Sequence, residues 1–398
     1  MGSERRLRIA LLEPAGRGGI HHYTRALARA LALAGSDVRL VTARDHEFRA
    51  ADAAAPPPFT VSGRFARRLT APGPLLSELR RFAPDVVHLQ SGTHPLLHWL
   101  LLQAVRRATR APITVTAHDL APKNSGGFGR TAARWLHRAA DRVIVHGRAL
   151  RDELAATLPD GAARIRVVPH GDASELAALA MQNHAGPQWN STPTLLFFGY
   201  LHAEKGLTDL LDALPAIAQK IPAVRLVIAG HPEMAVAPLQ ARARTLGVAE
   251  RIDWRLGYVP VEQLAPLFTG ASAVVLPYRK ASQSGVAFLA GAFARPLVAT
   301  RVGALSEIVD EGRTGALVPP GNPSKLAAAC SDLLSDLASA RNKGEEHARR
   351  CREEWSWTAI ARTTCALYSE LEKARPRTPG GEVVVDGERH ACSGPVPP

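Results

Sequence analysis

The chain has 398 residues, of which 46% are hydrophobic and 21% are charged. These fractions are close to globular averages, so they exclude a disordered chain, a collagen or a coiled coil as the main architecture. The 49 Lys and Arg residues outnumber the 36 Asp and Glu residues, which gives a formal net charge of +13. The length predicts two or three domains.

The excess positive charge lies in the first part of the chain. Residues 1–168 hold 26 basic and 13 acidic residues, whereas residues 169–398 hold 23 of each. A basic chain suggests a nucleic-acid partner, but no zinc-finger, helix-turn-helix or stacking motif accompanies the charge. We therefore expect no nucleic-acid partner.

Targeting and redox signals are weak. No apolar run reaches the 18 residues that a membrane span needs, and the apolar run in the first 14 residues is too short for a signal peptide. We expect a cytoplasmic protein, with peripheral attachment to the inner face of the membrane left open. Cys330, Cys351, Cys365 and Cys392 form no CxxC pair, so we expect them to be reduced thiols.

The first part of the chain alternates between β-branched runs and helical stretches. Helices are predicted at residues such as 23–34 and 131–140, and the Pro-rich segment 50–74 is predicted as an irregular surface loop. This alternation predicts a parallel sheet covered on both faces. The predicted strands are RIALLEP (8–14), DVRLVTA (37–43), DVVHLQ (85–90), ITVTAHD (113–119), RVIVHG (142–147) and RIRVVPHG (164–171).

The same alternation restarts after a polar segment rich in Gly, Pro and Asn. Two Rossmann-like lobes in series are the simplest interpretation. The second set of strands is TLLFFGY (194–200), VRLVIAG (224–230), IDWRLGYV (252–259), AVVLPY (273–278), PLVAT (296–300) and GALVPPG (315–321). The predicted units are a first domain (1–172), a linker (173–193), a second domain (194–352), a terminal helix (353–373) and a disordered tail (374–398).

The first strand leads into a glycine-rich turn, PAGRGGI (14–20). Glycines between a strand and a helix let backbone N–H groups approach an anion, which the helix dipole also attracts. The match to the dinucleotide fingerprint GxGxxG is poor, because His21 stands where the third glycine belongs. A tight turn without a ligand is an alternative explanation for Gly18 and Gly19.

Two further motifs carry suitable chemistry in the second lobe. One of only seven lysines, Lys205, follows a strand and precedes a helix, where a cation can meet a diphosphate at the edge of a sheet. The second motif, SQSGV (282–286), places Ser284 and Gly285 at a helix start with free backbone donors.

In order, these motifs resemble the retaining glycosyltransferases of family 4, which have the GT-B fold of two Rossmann-like domains facing across a cleft. The resemblance covers about residues 6–372. SQSGV resembles the Ser-Gly-Val loop of one branch of that family. The other matching motifs are GRGGIHHYTRALARALALAGSDVRLVT (16–42), TAHD (116–119), VVPHGD (167–172), GYLHAEKG (199–206) and PLVATRVGALSEIVDEGRTGALVPPGN (296–322).

The resemblance implies transfer of a sugar from a nucleotide-diphosphate donor to a saccharide, lipid-linked or natural-product acceptor. It implies retention at the anomeric carbon and no essential metal or cofactor. His118 and Lys205 would be catalytic, with His118 near the donor sugar and Lys205 on the diphosphate. Asp119 would orient His118 or cap the following loop. The implied donor-binding residues are Gly18, Gly19, His202, Lys205, Gln283, Ser284, Gly285, Val286, Arg301 and Glu307.

The chain departs from the family pattern at several positions. Two glutamates that the family carries on the donor loop and helix correspond to Ala281 and Leu289, and the usual arginine before Lys205 is replaced by Tyr200 or His202. These departures keep open a non-catalytic relative that only binds sugar nucleotides.

An NAD(P)-linked oxidoreductase is a weaker alternative. Arg44 and Asp45 could face the cofactor's ribose, but the motifs of the second lobe would then be unexplained. The histidines show no metal-ligand pattern such as HExxH, and His94 and His98 have no acidic or Cys companion nearby, so no metal site is predicted.

A basic and apolar cluster in the first lobe suggests an acceptor site. Arg64, Arg67 and Arg68, beside Phe65 and Leu69, would contact an anionic membrane surface or a phosphorylated, lipid-linked acceptor. Arg80 and Arg81 would extend the cluster. An ordinary solvated face is an equally good explanation, because arginine is abundant throughout the chain.

Overall fold

Two parallel sheets build the protein. The computed structural model describes residues 6–65, 73–92, 94–120, 127–182, 184, 189 and 192–374. Residues 375–398 of the predicted tail and the residues Arg67, Arg68 and Leu69 therefore lie outside the described residues.

The first domain holds seven parallel strands in the order β3-β2-β1-β4-β5-β6-β7. Its strands are β1 (Arg8–Leu12), β2 (Asp37–Ala43), β3 (Thr60–Phe65), β4 (Val86–Ser91), β5 (Ile113–Ala117), β6 (Arg142–Val145) and β7 (Ile165–Val167). Its helices are α1 (Gly18–Leu33), α2 (Arg49–Ala54), α3 (Gly73–Phe82), α4 (Pro95–Ala108), α5 (Gly127–Ala139) and α6 (Arg148–Thr157).

The second domain holds six parallel strands in the order β10-β9-β8-β11-β12-β13. The helix α7 (Ser174–Met181) precedes it, within the segment predicted as a linker. Its strands are β8 (Thr194–Phe198), β9 (Arg225–Gly230), β10 (Ile252–Leu256), β11 (Ala273–Leu276), β12 (Leu297–Thr300) and β13 (Gly315–Val318). The following helices are α8 (Leu207–Lys220), α9 (Ala237–Thr245), α10 (Leu264–Thr269), α11 (Gly285–Ala292), α12 (Leu305–Ile308), α13 (Pro323–Leu334) and α14 (Leu337–Glu354).

The strands are short apolar runs because each sheet is covered on both faces. In β1, Ile9 and Leu11 pack toward one layer of helices, and Ala10 and Leu12 pack toward the other. The strands predicted in both lobes are confirmed, and so is the class of two Rossmann-like domains.

The prediction of an irregular loop at residues 50–74 is wrong. The segment contains most of α2 and the whole of β3, which pairs with β2 on one side only. The sequence of β3, TVSGRF, mixes polar residues with a glycine, so it lacks the apolar run of an interior strand. Phe65 ends this edge strand and is buried in the core.

The last helix returns to the first domain. Helix α15 (Trp357–Lys373) follows α14 after a break at Trp355 and Ser356, whose side chain caps the new helix by accepting a hydrogen bond from the N–H of Ala359. Tyr368 of α15 is fully buried beneath the first sheet and lies 2.5 Å from Nδ1 of His88. Helix α15, which follows the second domain in the chain, therefore packs on the first domain and stabilises it.

Candidate functional site: the cleft between the two sheets

The residues that follow the strands of both sheets meet across one cleft. Tyr258, after β10, donates a hydrogen bond of 2.7 Å to Glu47, after β2. Ser282, after β11, donates one of 2.5 Å to the carboxylate of Asp119, after β5. Ligands of open parallel sheets bind at the carboxyl ends of their strands, and here two such edges face one another.

The glycine turn after β1 is held by a buried carboxylate. Glu13 accepts hydrogen bonds from the backbone N–H groups of Ala15 and Gly16 and from Thr42, and lies 2.6 Å from Nδ1 of His21. Burial alone would raise the pKa of Glu13, but its hydrogen bond and electrostatic interaction with His21 hold it below the ordinary value. The turn is therefore fixed in shape before any ligand binds.

A second carboxylate lies at the N-terminus of α1. Oε2 of Glu47 accepts from the backbone N–H of Gly18 at 3.4 Å, lies 2.7 Å from His22, and accepts from Tyr258. Burial alone would raise the pKa of Glu47, but these donors lower it, so the group is an anion at neutral pH. The position where the sequence predicts an anion thus carries a protein carboxylate.

The structure brings the lysine motif and the Ser-Gly motif together. Nζ of Lys205 lies 3.7 Å from the ring centroid of Tyr278, a cation–π contact. The hydroxyl of the buried Tyr278 lies 3.2 Å from Oγ of Ser284, the N-cap residue of α11. A cation and the positive end of a helix therefore lie on one wall of the cleft.

Gly206 fixes the turn that presents Lys205. Its φ is +66°, and a Cβ there would lie 1.8 Å from the carbonyl oxygen of Pro277. Only glycine fits both the left-handed conformation and the close approach.

The opposite wall is a cluster of buried aromatic and imidazole rings. The ring of Tyr23 lies 5.0 Å from those of His118 and His170 and 4.9 Å from that of His146. His170 crosses the cleft and stacks on Phe288 of α11 at 4.9 Å. The cluster therefore connects the two domains beside the Ser-Gly motif.

Hydrogen bonds determine the tautomers of this cluster. Nδ1 of His146 lies 3.0 Å from the carbonyl of Val168, to which it must donate, so its Nε2 accepts from Nδ1 of His118 at 3.3 Å. Nε2 of His118 lies 2.9 Å from Oε1 of Gln90, and because His118 carries its proton on Nδ1, this Nε2 needs the amide nitrogen of Gln90 as its donor. Turning that amide so that its nitrogen faces His118 also gives a partner to Nε2 of Gln90, which otherwise has none among the residues described.

The three imidazoles near the cleft are neutral at pH 7. Burial lowers the pKa of His146 to about 4 and that of His170 to about 3. Burial, together with the neighbouring imidazoles, lowers the pKa of His118 well below its ordinary value. Positive charge for an anionic ligand must therefore come from side chains such as Lys205 and from helix N-termini.

A cavity of about 460 Å³ opens between the domains. Gln283, Glu307 and Phe288 line it from the second domain, and His146 and His170 line it from the first. Oε1 of Gln283 is buried and has no hydrogen-bond partner among the described residues, which suits an acceptor for a ligand hydroxyl. A volume of this size holds a small molecule.

Comparison with known proteins decides the family. The family described as "Glycosyltransferase Family 4" matches residues 17–172, and that described as "Glycosyl transferases group 1" matches residues 192–336. A D-inositol 3-phosphate glycosyltransferase of Corynebacterium glutamicum is 30% identical, over 80% of this chain and 78% of that protein. This chain belongs to glycosyltransferase family 4.

Two further relatives extend the comparison. A glycogen synthase of Mycobacterium tuberculosis is 29% identical to this glycosyltransferase, over 75% of the chain and 73% of that protein. The crystal structure of Anabaena HepE in complex with UDP-glucose superposes with a TM-score of 0.69 at 18% identity, covering 92% of this chain and all of that one. The GT-B fold is thus confirmed, and the comparisons do not favour an oxidoreductase or a non-catalytic protein.

Most of the remaining donor-site candidates of the glycosyltransferase lie at the cleft. A Cβ on Gly18 would lie 3.6 Å from the hydroxyl of Tyr200, one on Gly199 would lie 3.7 Å from Val286, and one on Gly285 would lie 4.0 Å from His170. These positions therefore face each other around the cleft. In the part of the chain that the structure describes, a Cβ on Gly19 would meet no atom within 4 Å outside its own helix and chain neighbours.

Two candidates have partners within the protein. His202 is the N-cap of a short 3-10 turn, and its Nδ1 accepts from the N–H of Glu204 at 3.3 Å. Arg301 is exposed and forms an ion pair with Glu311, which fits a solvated loop arginine. Asp119, predicted to orient His118 or to cap the following loop, accepts a hydrogen bond from Ser282 across the cleft.

In the described part of the predicted basic and apolar cluster, the side chains of Arg64, Arg80 and Arg81 are exposed. Phe65 is buried, which contradicts its predicted contact with a membrane. Arg64 is tied to the buried carboxylate of Glu78. The described part of the cluster is therefore the end of an edge strand joined to α3.

Sequence reasoning missed most of the ring cluster. His146 and His170 each follow a predicted strand, in RVIVHG and RIRVVPHG, as His118 does in ITVTAHD. Residues at the carboxyl ends of neighbouring parallel strands must lie together. The position of these three histidines was therefore the sequence signal that could have predicted the cluster. Tyr23 and Gln90 had none. Within the described residues, no group of His, Cys, Asp and Glu side chains could hold a metal ion, and no helix could span a membrane.

Proposed function

We propose that the enzyme transfers a hexosyl group from a nucleoside-diphosphate sugar to an acceptor hydroxyl, with retention and without a metal or cofactor. The acceptor is a saccharide, a lipid-linked sugar or a natural product. The observation that carries this proposal is the juxtaposition of Lys205 with Ser284 and the N-terminus of α11. A diphosphate leaving group needs positive charge and N–H donors of this kind.

The bond changes follow from the chemistry of the donor. The bond between the anomeric carbon and the diphosphate oxygen breaks through an oxocarbenium-like transition state, and the acceptor oxygen bonds to the same face. The acceptor proton passes to the departing phosphate oxygen. Lys205 stabilises the charge that develops on the diphosphate, and Gln283 accepts a hydrogen bond from a sugar hydroxyl. The neutral His118 lies in the ring cluster on the opposite wall, toward the sugar.

The relatives support this assignment by what their names state. The Corynebacterium relative is named for D-inositol 3-phosphate, the Mycobacterium relative for glycogen, and HepE was crystallised with UDP-glucose. All three concern sugars or a cyclitol. We extend to this enzyme the donor class of nucleoside-diphosphate sugars.

A donor screen followed by a lysine pair tests the function. The wild type is assayed with UDP-, GDP- and dTDP-sugars for thermal stabilisation, since a ligand at 100 times its Kd stabilises by about 2.7 kcal/mol. With the best donor, Lys205→Ala should lower kcat/KM by about a hundredfold or more, by analogy with the loss of an oxyanion donor. Lys220→Ala, at the exposed end of α8, is the matched control.

Two outcomes would contradict the proposal. Donor binding without turnover for any acceptor class would favour a non-catalytic relative. Turnover that survives Lys205→Ala as well as it survives Lys220→Ala would remove Lys205 from the mechanism. The anomeric coupling constant of the product, measured by NMR, separates retention from inversion.

A further inference from the structure

Two neighbouring helices of the first domain expose an apolar surface that no part of the proposed reaction uses. The described residues include eight exposed large hydrophobic side chains, and four of them lie on α4 and α5. Phe128 is 63% exposed and Trp135 38%. The four side chains are Leu97, Leu100, Phe128 and Trp135. Together with the half-buried Trp99, they form a surface that we call the aromatic face.

The aromatic face is continuous from one helix to the other. The rings of Trp99 on α4 and Trp135 on α5 lie 5.6 Å apart, and that of Phe128 packs edge-on against Trp135 at 6.2 Å. Scattered apolar side chains are ordinary on a surface, but a contiguous patch of large ones marks an interaction site.

Positive charge borders this face without compensating acids. Neither α4 nor α5 contains an Asp or Glu residue. Arg130, Arg134 and Arg138 are spaced four residues apart, so they form one stripe along α5. All three are exposed, and the described part of the chain gives none of them an ion pair. Arg106 of α4, by contrast, is paired with Asp141.

The face lies toward the edge of the sheet that carries the cleft. Leu97 and Leu100 are in the first two turns of α4, and Phe128 is in the first turn of α5. Each helix starts on the side where the preceding strand ends, which for β5 is the side of His118. An occupant of the face would therefore sit near the mouth of the cleft.

We propose that the aromatic face and its arginine stripe bind the surface of a bilayer that contains anionic lipid. Trp135 and Phe128 insert among the headgroups, where amphipathic rings are favoured. The three arginines pair with lipid phosphates, and their long side chains reach past the apolar boundary. This places the membrane contact on α4 and α5, away from the cluster around Arg64.

Charge complementarity favours a bilayer over a second copy of the chain. A twofold dimer uses the same patch on both subunits. It would bring two arginine stripes together on helices that supply no carboxylate to neutralise them, which is unfavourable. An anionic bilayer supplies both the apolar depth and the opposite charge.

Sedimentation with vesicles tests the proposal on the 398-residue chain. One vesicle preparation is phosphatidylcholine alone, and the other contains phosphatidylcholine and phosphatidylglycerol at about 7:3. We expect at least about tenfold tighter binding to the anionic vesicles at 0.1 M salt, since each basic residue near the surface contributes about 1 kcal/mol. Raising the salt to about 0.5 M should remove most of that difference.

Two sets of variants separate the apolar and the charged parts. Phe128→Ser with Trp135→Ser should weaken binding to both vesicle types, whereas Arg130→Gln, Arg134→Gln and Arg138→Gln together should remove the preference for anionic vesicles. The apolar control is Leu33→Ser with Leu256→Ser, at two exposed positions elsewhere. The charge control is the triple change Arg341→Gln, Arg349→Gln and Arg352→Gln on the exposed side of α14.

Three outcomes would overturn the proposal. One is absence of wild-type binding to anionic vesicles. Another is an equal loss of binding in the control variants. The third is a concentration-dependent dimer, seen by analytical ultracentrifugation, that the Phe128 and Trp135 variants dissociate. If the double variant does not melt cooperatively, Phe128→Ser alone is tested for weaker vesicle binding, because Phe128 is the more exposed ring.

Discussion

Glu47 and Tyr258 join the two domains through a hydrogen bond of 2.7 Å between the tyrosine hydroxyl and Oε2 of the carboxylate. The same oxygen accepts from the N–H of Gly18 at the start of α1. A diphosphate that used this N–H would meet a carboxylate already there. One carboxylate therefore holds both the N-terminus of α1 and the second domain.

Replacing Glu47 with Gln should tighten donor binding. The change removes a like charge from beside a bound diphosphate, and one unit charge at about 4 Å in water is worth about 1 kcal/mol, or about fivefold in Kd. Titration calorimetry with the best nucleotide sugar measures this. Glu345→Gln, at an exposed position on α14, should leave the Kd unchanged. A Kd that is unchanged or weaker in Glu47→Gln would place the diphosphate away from Gly18.

Alanine substitutions at two glycines with the same backbone conformation distinguish the cost of backbone strain from the cost of a steric collision. Gly206 has a φ of +66° and Gly247 has a φ of +68°, but only at Gly206 would a Cβ collide with a backbone oxygen. Gly247→Ala should cost about 1 kcal/mol for the left-handed conformation. Gly206→Ala should cost about 2 kcal/mol more, because overpacking adds to the strain. It should also raise KM for the donor, since it displaces Lys205. Thermal melting and steady-state kinetics give both numbers, and equal costs would contradict the collision.

The sequence predicts an element of the fold only where the residues of that element form a recognisable local pattern. Interior strands such as TLLFF are apolar runs, so both sheets were predictable. The edge strand TVSGRF is paired on one side only and has no such run, so it looked like a loop. The link from Lys205 through Tyr278 to Ser284 depends on packing between distant segments, which spacing along the chain does not reveal.

A similar limit applies to the membrane surface that we propose on α4 and α5. The triplet around Arg64 is conspicuous in sequence because its charges are adjacent, yet Phe65 is buried. The arginines of α5 are spread over nine residues and align only in a helix. Trp99 and Trp135 meet through the packing of α4 on α5.

Removing the carboxylate of Glu13 should destabilise the first domain. Glu13→Ala leaves two backbone N–H groups, Thr42 and His21 without their buried partner. We expect a loss of about 3 kcal/mol, because several buried hydrogen-bonding groups are left without a partner and each costs about 1–3 kcal/mol. Glu311→Ala, which breaks only the exposed pair with Arg301, should cost less than about 1 kcal/mol. Urea denaturation compares the two variants, and similar costs would show that the Glu13 network contributes little.

Stability should fall as the pH is lowered from 7.5 to 5.5. Burial lowers the pKa of His137 and His146 to about 4 and that of His88 and His170 to about 3. Between these values and the ordinary pKa near 6.5, the unfolded chain binds protons that the folded chain excludes. This contribution to stability is complete above about pH 6.5. It is lost as the pH falls toward the pKa values of the folded protein, and the loss is about 1 kcal/mol per histidine at pH 5.5.

A single substitution checks this assignment without disturbing the cleft. His137 lies on α5, is buried, and its Nε2 has no hydrogen-bond partner among the described residues. His137→Leu should therefore reduce the loss between pH 7.5 and 5.5 by about 1 kcal/mol. His184→Leu, at an exposed position, should leave that loss unchanged. If both variants kept the wild-type dependence, the imidazole of His137 would have to take up its proton in the folded protein, and burial would not be what controls its pKa.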